Sequence, residues 1–420
     1  MAPILLFYTA GYEYNLKKRL VEKSGVLIVD GTPKNATIFI DGTDTGKTIP
    51  YTFQHVTPGW HNVTASKQGF TRWEKRLEVR AEQVTFTNTI HLWPTSTPLR
   101  IRSQSVLRLE ADPRKTRLAV IDSIRDEKHM GVWNPREDTY QTSTITTSTA
   151  TIPTDAPLRW NSAGTAFILN GITRDAPSYW TTTDADVKTD QLPTGIYTWS
   201  DASSLTGSDD ESMVHLQTRS NRFARTPLSP PYVFRDQDIR LQKTTSTPAV
   251  LLLTKTSLED RVYQLTNTNL RLVDRFKDLL ILEDPRAHEW FALALSDPHP
   301  YGGSIQGDYP RWFQDPISPD RTRALLVRGG ELWLWEPGKG AILLWRQAEH
   351  LTQALWNKEG THVILADARH VFALELDDRD GRITTPLAEF EHISDIALLQ
   401  DVLYVSGQHQ TGEGVFTIAL

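Results

Sequence analysis

Trp160-Asn161-Ser162-Ala163-Gly164-Thr165-Ala166-Phe167-Ile168-Leu169 and Trp356-Asn357-Lys358-Glu359-Gly360-Thr361-His362-Val363-Ile364-Leu365 are one pattern written twice. Each reads as a strand end, a tight polar turn and a buried apolar strand. Degenerate copies align on Thr116 (ADPRKTRLAV) and Thr322 (SPDRTRALLV). The anchors at Thr116 and Thr165 lie 49 residues apart, and those at Thr322 and Thr361 lie 39 apart. A period of roughly 40 to 50 residues is that of a four-stranded β module repeated around an axis.

Working outward, the 157-position spacing from Thr165 to Thr322 has room for two or three more modules. The repeat therefore predicts a β-propeller over residues 104–420 with seven blades, eight being the alternative count. Closing a sheet array radially removes the exposed edges that so much β structure would otherwise present. Glu331-Leu332-Trp333-Leu334-Trp335 after Arg328-Gly329-Gly330 reads as a second strand of one blade.

Ahead of the repeat, period-two alternation persists over shorter strands. Val84, Phe86, Ile90 and Leu92 alternate with Thr85, Thr87, Thr89 and His91, and Arg76, Glu78 and Arg80 alternate with Leu77 and Val79. Strands are expected near 25–30, 36–40, 60–66, 75–80 and 84–92, bounded by Pro33, Pro50 and Pro58 and by turns at Asp41-Gly42 and Gly69. The order Gly25 to Val29, Thr32-Pro33, Ala36, Asp41-Gly42, Gly46, Thr48, Pro50, Pro58-Gly59, His61, Val63, Gly69-Phe70 and Trp73 resembles a PEGA domain over residues 24–93. Pro33-Lys34-Asn35-Ala36 departs from the naming motif, carrying Lys and Asn where the family has Glu and Gly; Asn still tolerates a left-handed backbone. Residues 94–103 read as a linker. The blade pattern, with Ser318-Pro319-Asp320 before Ala324 to Val327, resembles propellers of the Trp-Asp-repeat-like and periplasmic Tol-type kinds, a resemblance of fold and not of chemistry.

The chain of 420 residues has no cysteine, which excludes disulfides, zinc-thiolate sites and thiol nucleophiles. Residues 1–100 hold twelve Lys/Arg against eight Asp/Glu, and the rest hold 33 against 43, so neither part makes the basic field that nucleic acid requires. Pro3 to Tyr12 is apolar and aromatic but about half a bilayer span. Residues 1–23 are read as the remnant of an N-terminal membrane anchor and its juxtamembrane segment, although the basic Lys17, Lys18 and Arg19 leave orientation open.

Gly46-Lys47-Thr48 lacks the first glycine of a phosphate loop and opens no helix, so it is a turn. Asp377-Asp378-Arg379-Asp380-Gly381 resembles a calcium loop only in composition and reads as a hairpin turn. The histidines show no metal spacing, no Gly-x-Ser-x-Gly elbow occurs, and no catalytic residue, metal or cofactor is expected. Trp160, Trp345 and Trp356 are assigned to recurring core positions. Trp133, Trp180 and Trp199, in polar stretches, and Trp60, after Pro58-Gly59, are candidates for a ligand-binding rim. Ser200 to Pro231 reads as a loop-rich insert whose Asp209, Asp210, Arg219 and Arg222 offer charges of both signs.

The PEGA resemblance implies a surface- or wall-associated module. The expectation is a non-enzymatic, membrane-tethered, extracytoplasmic envelope protein, with the sandwich as spacer or attachment module. The propeller is the platform for an envelope or surface protein or a cell-wall glycan. The alternative is a propeller glycoside hydrolase or other wall-acting hydrolase, with the sandwich as accessory; a central pocket with paired carboxylates is the feature that favours it.

Overall fold

The computed structural model describes residues 12–15, 20–124, 127–144 and 339–420 without a break and, between 158 and 336, the strands with their adjoining residues. Every regular element described is a β-strand. Tyr12–Asn15 and Leu20–Lys23 pair as an antiparallel hairpin. Part of the segment expected to be anchor remnant is thus β structure. Among the described residues no helix is long and apolar enough to cross a membrane.

The first domain is a two-sheet sandwich. One sheet has the order Tyr51–Val56, Gly25–Thr32, Val84–His91, its last pair parallel, and the other Thr43–Thr48, Thr37–Ile40, Gly59–Ser66, Trp73–Val79. The inner faces interdigitate Leu27, Val29, Ile38, Val63, Trp73, Leu77 and Val79, all buried. Asn35 has φ 64°, and Asp41 and Gly42 have φ 50° and 77°. The left-handed positions therefore fall where the sequence supplies Asn, Asp and Gly. Thr43–Thr48 and Tyr51–Val56 escape the alternation because their polar residues (TDTGKT, YTFQHV) hide a strand behind turn-like composition.

From residue 99 onward the described strands form eight four-stranded antiparallel sheets, the alternative count and not the favoured seven. The first comprises Arg108–Ala111, Leu118–Ile124, Glu127–Asn134 and Thr139–Thr144; the second begins with Leu158–Trp160 and Ala166–Leu169, and the third with Ile196–Trp199 and Ser204–Ser208. The sixth ends with Thr322–Arg328, Glu331–Glu336 and Gly340–Arg346. The seventh runs Leu351–Trp356, His362–Asp367, His370–Glu375 and Thr384–Glu389. The eighth takes three strands from the C-terminal end, His392–Leu399, Val402–His409 and Gly412–Ala419, and its outermost from Leu99–Arg102. Residues 99–102, expected to be linker, are thus a structural strand. Leu109, Leu118, Val120 and Trp133 of the first sheet pack on Ala397, Leu399, Tyr404 and Val415 of the eighth, so the last sheet meets the first. The expected insert at 200–231 is also corrected: Ser204–Ser208, Ser212–Gln217 and Arg222–Pro227 complete the third sheet.

Candidate functional site

The repeated decapeptide builds the same object at both places. Trp160 and Trp356 each end the innermost strand of a sheet. Asn161 Oδ1 accepts the amides of Thr165 and Ala166 at 2.8 and 3.2 Å; Asn357 Oδ1 accepts those of Thr361 and His362, both at 2.9 Å. Asp112 does the same for Thr116 and Arg117, at 2.6 and 2.9 Å. Gly164 and Gly360, at φ 63° and 65°, close the two turns in a region that costs glycine little. The preceding sheet completes the joint: Arg117 lies over the Trp160 ring and donates to Gly164 O, and Arg323 lies over Trp356 at 4.9 Å and donates to Gly360 O at 2.9 Å.

This joint relocates some of the expected ligand-binding residues. Trp199 also ends an innermost strand, and its Nε1 donates to Arg159 O at 3.1 Å, as Trp160 Nε1 donates to Glu110 O at 3.0 Å. Trp199 thus belongs to the structural set. Trp133 is 3% exposed, packed against Tyr404 and Tyr140 between the first and eighth sheets, and is core. Trp345 leaves the recurring set, because it lies on the outer strand Gly340–Arg346. Trp60 is 56% exposed beneath the Arg76 guanidinium. Arg222 is exposed on the outermost strand of the third sheet. The Trp180 side chain, Asp209, Asp210 and Arg219 lie outside the described residues. The structure does not gather the described candidates, Trp133, Trp199, Trp60 and Arg222, into one site.

It gathers others at the contact between the two domains. Strand Trp73–Val79 alternates strictly between buried and exposed, and Lys75 falls on the buried side with Trp73, Leu77 and Val79. Its ammonium lies 3.0 Å from Glu375 Oε2, both side chains 1% exposed, and donates to Asp377 O at 2.6 Å. Glu375 is further held by Trp73 Nε1 at 3.3 Å and Thr89 Oγ1 at 3.1 Å. Burial pushes the Glu375 carboxyl above its ordinary range, against the pull of Lys75. Burial also opposes ionisation of Asp377, but the Arg379 guanidinium and amide outweigh it and hold that carboxyl low. Asp380 Oδ2 accepts the Arg76 amide at 2.8 Å. The loop Asp377 to Gly381 is therefore a hairpin turn, as composition suggests, with the added task of clasping the sandwich. A lysine on the apolar side of an alternating strand was the available signal.

Beside the clasp, Trp93 inserts into the core of the seventh and eighth sheets. Its ring lies 4.0 Å from His91 and 5.4 Å from His362. Burial, then the neighbouring His91 and Lys75, drives the His362 pKa down to about 3, so this imidazole is neutral at ordinary pH. Burial likewise lowers His91.

On the innermost strands, Asp395 accepts the Leu109 amide at 2.7 Å, faces Arg108 Nε at 3.3 Å and accepts from Gln353 Nε2. It thereby ties together the first, seventh and eighth sheets. Among the described residues no group of three His, Asp or Glu is placed to hold a metal ion.

A cavity of about 530 Å³ opens beside the outer strand of the seventh sheet. Trp345 and Phe372, their rings 6.2 Å apart, form its aromatic wall. Trp345 Nε1 donates to Gln347 Oε1, and Gln347 Nε2 to Asp367 Oδ2, each at 3.3 Å. Burial raises the Asp367 carboxyl, but the amides of Arg369 and His370 and the His370 ring more than offset it and bring it below its ordinary range.

Residues 24–95 match the PEGA domain family. No curated protein matches the chain. Among solved structures, the chain is similar to one titled "Crystal Structure of Mitotic Checkpoint Complex", at 10% identity and TM-score 0.46, covering 80% of this chain and 94% of that one. It is similar also to "Structure of Dos1 propeller", at 10% identity and TM-score 0.46, covering 77% and 94%.

Proposed function

We propose that this protein is a non-enzymatic scaffold of the cell envelope, tethered through its N-terminal segment, in which the PEGA domain is the attachment module and the propeller the binding platform. The observation that carries the reading is the clasp. A buried ion pair, supported by four further hydrogen bonds across the same contact, holds the sandwich at one orientation to the seventh sheet. A spacer fused this way transmits position: whatever the sandwich attaches to, the propeller faces outward from it at a set angle. Asp395 supports a binding rather than hydrolytic role, since its carboxylate is spent on joining three sheets. The partner is a surface protein or a wall glycan.

The test is fractionation of cells expressing the natural full-length product with and without the residues before Ser24. The intact protein is expected in the envelope fraction and the shortened one in the soluble fraction. Soluble recovery of both overturns the tethering.

A further inference from the structure

One corner of the sandwich joins an exposed apolar face to the departure point of the N-terminal chain. Strands Gly25–Thr32 and Val84–His91 run parallel, pairing Val26 with Val84 and Ile28 with Phe86. Leu27 and Val29 turn into the core, so alternation sends Val26, Ile28, Val84 and Phe86 to the outward side of the three-stranded sheet. Val84 is 46% exposed and Phe86 50%. Scattered apolar residues are ordinary on a surface, whereas a contiguous block marks a contact.

The N-terminal chain leaves at the same corner. Ser24 O accepts the Glu82 amide and Gln83 O the Val26 amide, each at 3.0 Å, and Lys23 Nζ lies 2.6 Å from Glu82 Oε1. Across the N-terminal hairpin, Tyr12 is the ladder partner of Lys23. The apolar stretch Pro3 to Tyr8 thus joins the fold beside the residue that holds Glu82, two positions before Val84. The propeller is at the other end of the strand. Thr89, three positions after Phe86, donates to Glu375, which puts Val84 roughly 16 Å from the clasp. The acids of this corner are answered, Glu82 by Lys23 and Glu78 by Arg80 at 2.8 Å. The residues joining the hairpin strands, Leu16-Lys17-Lys18-Arg19, add three positive charges against Glu13 and Glu22 in the strands themselves.

We propose that this face rests on an anionic lipid bilayer, Val84 and Phe86 entering the headgroup boundary beside the N-terminal segment. An apolar block flanked by basic residues has the composition that meets anionic headgroups. A second copy of the chain, or its own Pro3 to Tyr8 folded back, would cover the apolar block but leave the basic residues without a role. A block of this size holds a bilayer weakly by itself, and stable attachment takes two signals. The N-terminal segment is the second, and it makes the contact of the face an intramolecular event. Because the clasp fixes the sandwich to the propeller, contact here sets the propeller's tilt and holds it off the bilayer. The inference rests on the reading of the N-terminal segment as a tether.

The chain has no cysteine, so Phe86→Cys in the full chain carries an environment-sensitive dye at that position alone. The labelled protein is mixed with vesicles of phosphatidylcholine and phosphatidylglycerol containing a spin-labelled lipid. Glu389→Cys, on an exposed propeller side chain, is the control. The dye at 86 should shift to the blue and be quenched, and the dye at 389 should do neither. Val84→Asp combined with Phe86→Asp should weaken vesicle partitioning roughly tenfold with the melting transition unchanged. If that pair lowers the melting transition, the quenching at 86 decides alone. A chain that floats with vesicles while position 86 stays unquenched overturns the face and leaves the tether standing. A dye at 86 already blue-shifted before vesicles are added, and unchanged by them, also overturns it. That outcome assigns the face to the chain's own N-terminal segment or, where the shift grows with protein concentration, to a second copy. If the full chain joins no vesicle, the tether reading falls and this inference with it.

Discussion

The turn at Trp160 and the turn at Trp356 are nearly superimposable in their chemistry, yet only the second carries a domain. Both have the Asn that gathers two amides, the left-handed Gly, and the arginine from the preceding sheet. They part at the residue after the shared Thr. Ala166 fills that place in the second sheet, whereas His362 fills it in the seventh and meets His91 and Trp93 of the arriving chain. One strand further, register sets Glu375 beside His362 where Thr181 stands beside Ala166. The blade becomes an attachment point through His362 and Glu375 on its second and third strands and Asp377 and Asp380 of the hairpin that follows, and its turn keeps the shared amide bonds while adding Glu359, which accepts from Asn357 Nδ2.

The largest expected effect separates the clasp from the shared joint. Glu375→Ala or Lys75→Ala leaves one charge buried without its partner and should cost about 3–5 kcal/mol in denaturant unfolding of the full chain. Lys75→Met combined with Glu375→Leu should recover most of that loss, because the pair's own desolvation is then avoided. If the single variants cost less than about 1 kcal/mol, the two domains do not depend on the clasp.

Acid should distinguish the two turns as well. His362 stays neutral in the folded chain down to about 3, whereas the unfolded chain takes up a proton near the ordinary value of 6.5. Its stabilising contribution is complete above 6.5 and declines as pH falls from there toward 3. Linkage puts the decline at about 2 kcal/mol by pH 5. Glu375, held above its ordinary range, works in the opposite sense and gains as pH falls, so the difference between wild type and His362→Gln isolates the imidazole. Urea titrations at pH 7 and pH 5 measure it; parallel losses in both proteins would dismiss the histidine as the source.

The smallest effect concerns what the turns share. Arg117→Ala and Arg323→Ala each remove a ring contact and one bond to a glycine carbonyl, and each should cost about 1–2 kcal/mol. Equal losses in thermal unfolding would support equivalence of the two joints. A twofold disparity would show that one of them is merely decorative.

The comparison also explains which features could be read beforehand. The turns were legible because their hydrogen bonds close within five residues, so spacing alone betrays them. The sandwich was legible for the same reason, through Asp41-Gly42, Asn35 and the alternation of Trp73–Val79. Trp199 was misassigned because the strand after it, Ser204–Ser208, is mostly Ser, Thr and Gly and conceals its buried Leu205. Trp133 looked like a rim residue beside Asn134 and Arg136, but Tyr404, far along the chain, covers it. Seven sheets are favoured over eight by sequence because one strand of the eighth sits at 99–102, out of order with the others. Lys75 went unread although it sits in register with Trp73, Leu77 and Val79, and Glu375 has no such mark, for nothing local shows which acid a buried lysine will find 300 residues away.

The borrowed strand at 99–102 has a consequence for how the chain is made. Among the described residues its ladder partner is Gly412–Ala419, with Leu99 and Thr417 set opposite each other across 318 positions of sequence. As the chain is made, then, the sandwich waits first for Glu375 to answer its buried lysine and later for Gly412–Ala419 to match the β edge beside it. Ring closure therefore waits on a contact of very high sequence separation, the kind that forms late and leaves strand edges open meanwhile, and a chain cut anywhere between the two strands loses the closing sheet's covalent link to the sandwich.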